Sequence, residues 1–203
     1  MNQPQPKKIN RIIMLVHPIY SSIFFRPAQP TKTVRRNLSK LLGIWGNEIK
    51  KACSEPNTLI VIVKSGRYVF MPKEKTMEKE RLKQWFEGKL DGLVGFAEKN
   101  AGKRVFVEHW NIWPDFAEKV RAKGFEINRN ALKGKSFGEH WKECVNSASA
   151  CLALSLKIPE GRIFQDPRLS TNSRALYTKE KWPIVEPPER RRKTRLKIRR
   201  IKA

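Results

Sequence analysis

Continuous apolar runs alternate along the chain with amphipathic stretches of helical period. Ile9–Val16 and Thr58–Val63 are nearly uninterrupted apolar runs, which is the pattern of strands buried on both faces. Three shorter runs, Arg104–Val107, Phe125–Asn128 and Arg162–Gln165, are predicted to be further strands. Between the runs, apolar residues recur every three or four positions and predict helices. These helical stretches are Lys32–Ala52, Lys73–Lys99, Pro114–Lys123 and Ser136–Leu156.

This alternation of strands and helices predicts the fold class. Strands separated by helices of roughly 10–20 residues are typically parallel, with right-handed crossovers that place helices on both faces of the sheet. We therefore predict an α/β fold, a three-layer Rossmann-like sandwich whose mostly parallel sheet has about five strands. The globular domain is predicted to cover residues 9–167. Residues 1–8 are predicted to be a flexible segment, and residues 168–203 an irregular, basic C-terminal extension.

The charge of the chain is strongly positive. Its 43 Lys and Arg residues outnumber 19 Asp and Glu residues, which gives a formal net charge of +24. The tail Arg190–Ala203 contains nine of the basic residues and no acidic residue, so the rest of the chain still carries +15. Like charges at this density prevent the tail from building a packed core, whereas a polyanion would neutralise them. Both parts of the chain therefore favour nucleic acid as the partner.

Candidate nucleic-acid contacts fall in two segments. Arg129–Ser136 (RNALKGKS) lies between a predicted strand and a predicted helix and ends as a phosphate-binding P-loop does, but Arg129 stands where the first glycine of that motif is required. The pattern thus disfavours nucleotide hydrolysis, and predicts an anion site made by Lys133, Lys135, Ser136 and the free amides of a helix start. A solvated basic loop is the alternative. The second segment is the tail, with Arg190, Arg191, Arg192, Lys193, Arg195, Lys197, Arg199, Arg200 and Lys202.

An enzyme is the alternative to a binding protein. Ligands of open α/β sheets bind beyond the carboxyl ends of the strands. The polar residues predicted at that edge are His17, Lys64, Ser65, Arg67, Glu108, His109, Trp110, Asn128, Arg129 and Asp166. His17 and His109, with His140 near the start of the last helix, could serve as acid/base groups or metal ligands, although polar residues end the strands of any α/β fold.

A cysteine-dependent hydrolase is a second form of the enzyme hypothesis. Cys144 lies near a predicted helix start and four residues from His140, which suits an activated thiolate. Its position on the apolar stripe of that helix instead favours a buried, inert thiol. If the chain is a small α/β hydrolase or a nucleotide- or RNA-processing enzyme, we expect the chemistry to use His17, His109, His140 and Cys144.

Two tryptophans, Trp110 and Trp113, flank Asn111 and Ile112 in a predicted loop. Indoles stack well on unpaired bases. Tryptophans in loops more often wedge the loop onto the core, and we favour that interpretation here.

The remaining features narrow the class of protein. The three cysteines lack the spacing of a disulfide framework or a metal site, which favours a reducing, cytoplasmic compartment without a cofactor. No segment has the roughly 18 apolar residues that span a membrane. A small basic body with a long Lys/Arg-rich extension resembles ribosomal proteins in composition, although no family motif is present. We predict a non-catalytic RNA-binding protein, ribosomal or ribosome-associated, with rRNA and other ribonucleoprotein subunits as partners; a DNA-coating protein is the second alternative.

Overall fold

A five-stranded parallel sheet with helices on both faces forms the centre of the protein. The computed structural model describes residues 5–16, 31–64, 77–138, 144–166 and 169–170. The strands are β1 (Lys7–Ile9), β2 (Arg11–Val16), β3 (Thr58–Lys64), β4 (Val105–His109), β5 (Phe125–Ile127), β6 (Lys133–Gly138) and β7 (Ile163–Gln165). The α-helices are α1 (Thr31–Ser54), α2 (Met77–Ala101), α3 (Phe116–Ala122) and α4 (Asn146–Leu156).

The strand order of this sheet is β4-β3-β2-β6-β7, and every neighbouring pair is parallel. The chain enters at β2 in the middle, builds outward to β4, and then crosses to β6 and β7 on the other side. This reversal of direction is the doubly wound, Rossmann-like arrangement, with its switch point between β2 and β6.

Apolar side chains alternate between the two faces of the sheet. On one face, Ile13 belongs to the buried cluster that includes Trp45 of α1 and Phe86 of α2. On the other face, Ile12 belongs to the cluster formed with α3 and with Leu152 of α4. Because helices cover both faces, β2 and β3 are apolar at almost every position. The predicted three-layer α/β sandwich is confirmed.

The main sheet contains one strand that the sequence did not predict, and it lacks one that was predicted. Lys133–Gly138, expected to be a loop and the start of the helix Ser136–Leu156, is strand β6 between β2 and β7. The α-helix α4 starts at Asn146, directly after two π-helical residues, Cys144 and Val145. Phe125–Ile127 is a strand as predicted, but it pairs with Lys7–Ile9 in a separate two-stranded parallel sheet.

The physical reason for the error at β6 is that its partners are distant in sequence. Gly134 lies against Ile163 of β7, and a Cβ there would displace the end of the Ile163 side chain. The Oγ of buried Ser136 lies 2.7 Å from the Oγ of Ser149 on α4, which satisfies a polar group inside the layer.

The N-terminal segment includes residues of a strand. Within the segment 1–8, which was predicted to be flexible, Lys7 and Lys8 belong to β1, and the N–H of Lys7 donates to the carbonyl of Gly124 at 3.0 Å. Gly124, with φ 83°, ends the region of α3 as expected. Among the described helices, none is both long and apolar enough to cross a membrane.

Candidate functional site

Each helix-to-strand connection of the main sheet ends at the same edge. Helices that connect parallel strands run back against them, so the last helical turns meet the first strand residues at the amino-terminal edge of the sheet. Lys51 lies in the last turn of α1, Lys103 precedes β4, and Arg162 precedes β7. All three side chains are exposed. The topology therefore collects basic residues that are far apart in sequence.

We define the basic rim as ten exposed Lys and Arg residues at this edge that form no ion pair with another described residue. They are Lys7, Lys8, Lys51, Lys99, Lys103, Lys123, Arg129, Lys133, Lys157 and Arg162. The exposed carboxylates at the same edge with no ion pair to a described residue are Glu98, Glu126 and Glu160. Among the described residues, the unpaired charges of this edge thus sum to +7.

Helix dipoles stabilise the positive charge of only some rim residues. Cations are stabilised beside the C-terminal end of a helix, which suits Lys51, Lys99 and Lys157. Lys8 and Lys133, however, lie within strands, where no helix end compensates their charge. Their mutual repulsion is relieved when an anion binds, and a charged edge of this length attracts a polyanion from a distance.

The backbone beneath the rim is fixed by Arg104. Its guanidinium donates to the carbonyls of Ala52, Cys53, Glu55 and Thr58 at 2.6–3.3 Å. These acceptors belong to the end of α1, the connection to β3 and the first residue of β3, so a single side chain satisfies carbonyls of all three segments, including those that the helix leaves open. The backbone next to Lys51 and Lys103 is consequently held in place by these hydrogen bonds.

The residues predicted to form an anion site at a helix start, Lys133, Lys135 and Ser136, lie within strand β6 instead. Only Lys133 is exposed, and it belongs to the rim. The Nζ of Lys135 lies 3.0 Å from Glu48 Oε2 and 3.6 Å from an oxygen of Asp166, whereas Ser136 is buried.

Of the candidate catalytic residues, the structure describes His109 and Cys144, which lie on different elements. His109 ends β4 and is exposed. Cys144 is half-buried in the π-helical residues directly before α4 and packs against the apolar cluster of that face. His17, His140, Ser65, Arg67 and the basic tail residues lie outside the described residues.

Two other predictions about the strand ends are corrected or refined. Asn128 and Arg129 were expected at the carboxyl edge, but they precede β6 and lie at the amino-terminal edge, because β5 pairs with β1. Glu108 of β4 is buried and accepts a hydrogen bond from Lys119 at 2.9 Å, which raises the pKa of Lys119 above its ordinary value. The Glu108 carboxylate is therefore already engaged in an ion pair with Lys119.

The residues after β4 form a strained turn that presents two indoles. Trp110 has a φ of 72°, and the N–H of Asn111 donates to the carbonyl of His109 at 2.9 Å, which defines a γ-turn of the rare positive-φ type. The N–H of Trp110 donates to the Lys64 carbonyl at 2.9 Å. Such a conformation costs a bulky residue about 1–3 kcal/mol.

This turn is anchored by Ile112. Ile112 is only 3% exposed, whereas Trp110 and Trp113 remain 42% and 50% exposed. Ile112 is therefore the fully buried anchor of this turn, while both tryptophans are about half-buried. The indole N–H of Trp113 donates to the His109 carbonyl at 3.3 Å and orients its ring.

The three cysteines, all of which the structure describes, form no disulfide bond. Burial raises the pKa of Cys53, and the nearby Arg104 guanidinium partly opposes that shift. Within the described residues, no three His, Cys, Asp or Glu side chains group closely enough to hold a metal ion.

Comparison of the chain with protein-family models, curated proteins and solved structures gives no match in any of the three. Its function is therefore argued from the basic rim and the charge of the whole chain.

Proposed function

We propose that this protein is a non-catalytic RNA-binding protein, a component of the ribosome or of a related ribonucleoprotein. The basic rim and the tail Arg190–Ala203 contact RNA phosphates. The observation that carries the proposal is the rim, which within the described part of the chain has ten exposed basic side chains and an unpaired charge of +7 at one edge of the sheet.

The extent of the rim favours a polyanion over a small anionic ligand. From β4 to β7 the sheet has four inter-strand spacings, which correspond to roughly 19 Å. Lys103 stands before the first of these strands and Arg162 before the last. A single phosphate or carboxylate neutralises one or two of these cations, whereas a nucleic-acid strand places a charge opposite many of them.

The choice of RNA over DNA rests on composition. A basic globular body with a long Lys/Arg-rich extension is typical of proteins that thread between RNA segments and order on binding. Phosphate contacts fix the position of the protein on the RNA without reading its sequence.

Filter binding of the full chain to a structured RNA between about 50 and 200 mM salt tests this proposal. We expect an affinity that falls steeply with salt, and a deletion of residues 190–203 that lowers the slope of log affinity against log salt by several units. Affinity no higher than that of a neutral control protein contradicts RNA binding. Preference for duplex DNA in competition favours the DNA-coating alternative instead.

The ribosomal part of the proposal has a separate test. We expect the protein to cosediment with ribosomes from a native lysate and to be released by high salt. Recovery in the unbound fraction at low salt contradicts a ribosomal role while leaving RNA binding intact.

A further inference from the structure

We infer that one face of strands β6 and β7 stacks an unpaired RNA base on Phe164 while Lys133 contacts a phosphate of the same RNA. The inference rests on the proposed function and deepens it, because it names unpaired segments as the part of the RNA that this end of the rim binds. Phe164 is the middle residue of β7, the edge strand of the main sheet.

The register of β6 and β7 shows which residues share a face with Phe164. Lys135 lies beside Phe164 in the parallel pairing, and neighbours in register project to the same face of a sheet. The side chain of Lys135 reaches Glu48 of α1. Lys133 lies two positions before Lys135 in β6 and therefore also projects to the face of α1.

The opposite face of β7 is covered by α4. Ile163 is only 4% exposed in the apolar cluster of that face, and the amide of Gln165 donates to Asn146 of α4 at 2.7 Å. Phe164, between these two residues, is 52% exposed, and its ring stacks on no other described residue. The strand thus buries one face and presents a phenyl ring on the other.

The charges around Phe164 indicate which partner covers the ring. Lys133 forms no ion pair with a described residue, and its backbone lies about 8 Å from that of Phe164, two residues along and one strand across. Arg162 of the rim directly precedes β7. An apolar ring beside two cations complements a nucleotide, whose phosphate is anionic and whose base stacks on an aromatic side chain.

A second copy of this chain is the competing occupant, because an uncovered edge strand can pair with another strand. A twofold contact through β7 would bring Lys133 and Arg162 of one copy close to the same residues of the other. Like charges at that contact oppose association, whereas the same charges attract RNA. The charge of this face therefore favours RNA.

The test uses two RNA probes with the same number of nucleotides, a hairpin with a single-stranded loop and a fully paired duplex. Phe164→Ala should bind the hairpin about 5- to 150-fold more weakly than the wild type, since one base stack is lost. Duplex affinity and the salt slope should stay at the wild-type level, because stacking releases no counterions. Phe164→Trp should retain hairpin binding, since an indole also stacks on a base.

The matched control is Leu154→Ala, which truncates a residue that is 79% exposed on α4, the helix on the other face of β7. It should leave both affinities unchanged. Because the Phe164 ring is half-exposed, Phe164→Ala should also keep a urea unfolding midpoint close to that of the wild type.

Four results would overturn the inference. Hairpin affinity of Phe164→Ala within about twofold of the wild type removes the stacking site and leaves the proposed function standing. An equal loss on hairpin and duplex also removes it, because the ring would then support the fold rather than a base. A wild-type dimer in analytical ultracentrifugation that Phe164→Ala dissociates would make this face a contact between copies. If the wild-type protein binds neither probe, the proposed function fails together with the stacking site.

Discussion

Lys133 and Lys135 lie two positions apart on β6, yet their environments differ. Lys133 is exposed on the rim. The Nζ of Lys135 lies between Glu48 and Asp166, and Asp166 is only 1% exposed. Replacing Lys135 by methionine keeps most of the side-chain volume but leaves a buried carboxylate without this cation. We therefore predict that Lys135→Met destabilises the fold and that Lys133→Met weakens RNA binding.

The structure sets the size of the two effects. Removing one partner of a buried ion pair costs about 3–5 kcal/mol. The side chains of Lys135 and Glu48 are 23% and 24% exposed, so water screens part of the interaction and we expect about 2–3 kcal/mol. In a domain of this size that corresponds to a fall in Tm of roughly 5–10 °C. Lys133→Met should change the free energy of unfolding by less than about 0.5 kcal/mol.

Two assays on the same pair of variants distinguish the roles. Urea unfolding followed by tryptophan fluorescence gives the free energy of unfolding, and filter binding under native conditions gives the RNA affinity and its salt slope. Lys133→Met should lower the slope by about 0.7–0.9, the value for one lost phosphate contact, whereas Lys135→Met should leave it unchanged. A Lys135→Met variant of wild-type stability with weakened RNA binding would refute this assignment.

Three further perturbations test the packing around the site. Gly138→Ala should lower the free energy of unfolding in urea by more than about 2 kcal/mol, because Gly138 has a φ of 139° and a Cβ would overlap the carbonyl oxygen of Val16. Wild-type stability of this variant would contradict the packing. Arg104→Met should cost about 2–3 kcal/mol, since four carbonyls lose their donor, and an unchanged unfolding midpoint would show that water replaces the guanidinium. The Glu108 carboxylate raises the pKa of Lys119 above 10.5, so the stability from this pair is present below that pH and is lost as pH rises through the higher folded-state pKa. The difference in urea midpoint between wild type and Lys119→Met should thus shrink from about pH 9 to about pH 12, and a constant difference would count against the pair.

The fold could be predicted where burial on both faces leaves a continuous apolar run. β2 and β3 show this pattern because helices cover both sides of the sheet. β6 does not, since its sequence is Lys-Gly-Lys-Ser-Phe-Gly and its polar side chains find partners far along the chain. Lys135 reaches Glu48, which is 87 residues away, and no local pattern indicates such a contact. Phe137 and Val145 also fit a helical period, which produced the overlong helix.

The candidate site was less predictable than the fold. The net charge predicts a polyanion partner. The rim, however, contains residues from Lys7 to Arg162, and it can be recognised only from the strand order of the sheet. Small ligands of α/β sheets usually bind at the carboxyl edge, so the sequence predicted a site there. Among the described residues, however, most of the charge without an ion pair lies at the amino-terminal edge. The positive φ of Trp110 likewise depends on the contact between its N–H and Lys64, which sequence does not reveal.

The salt dependence of RNA binding by two variants of equal net charge tests the central claim most directly. The rim variant replaces four rim residues with glutamine, namely Lys103, Arg129, Lys133 and Arg162. The control variant replaces four exposed basic residues of α1 and α2 outside the rim, namely Arg36, Lys40, Arg81 and Lys89. We predict that the rim variant lowers the slope of log affinity against log salt by about three, while the control keeps the wild-type slope within about one unit. Equal slopes for the two variants would contradict a phosphate-binding rim, because the net charge alone would then govern binding.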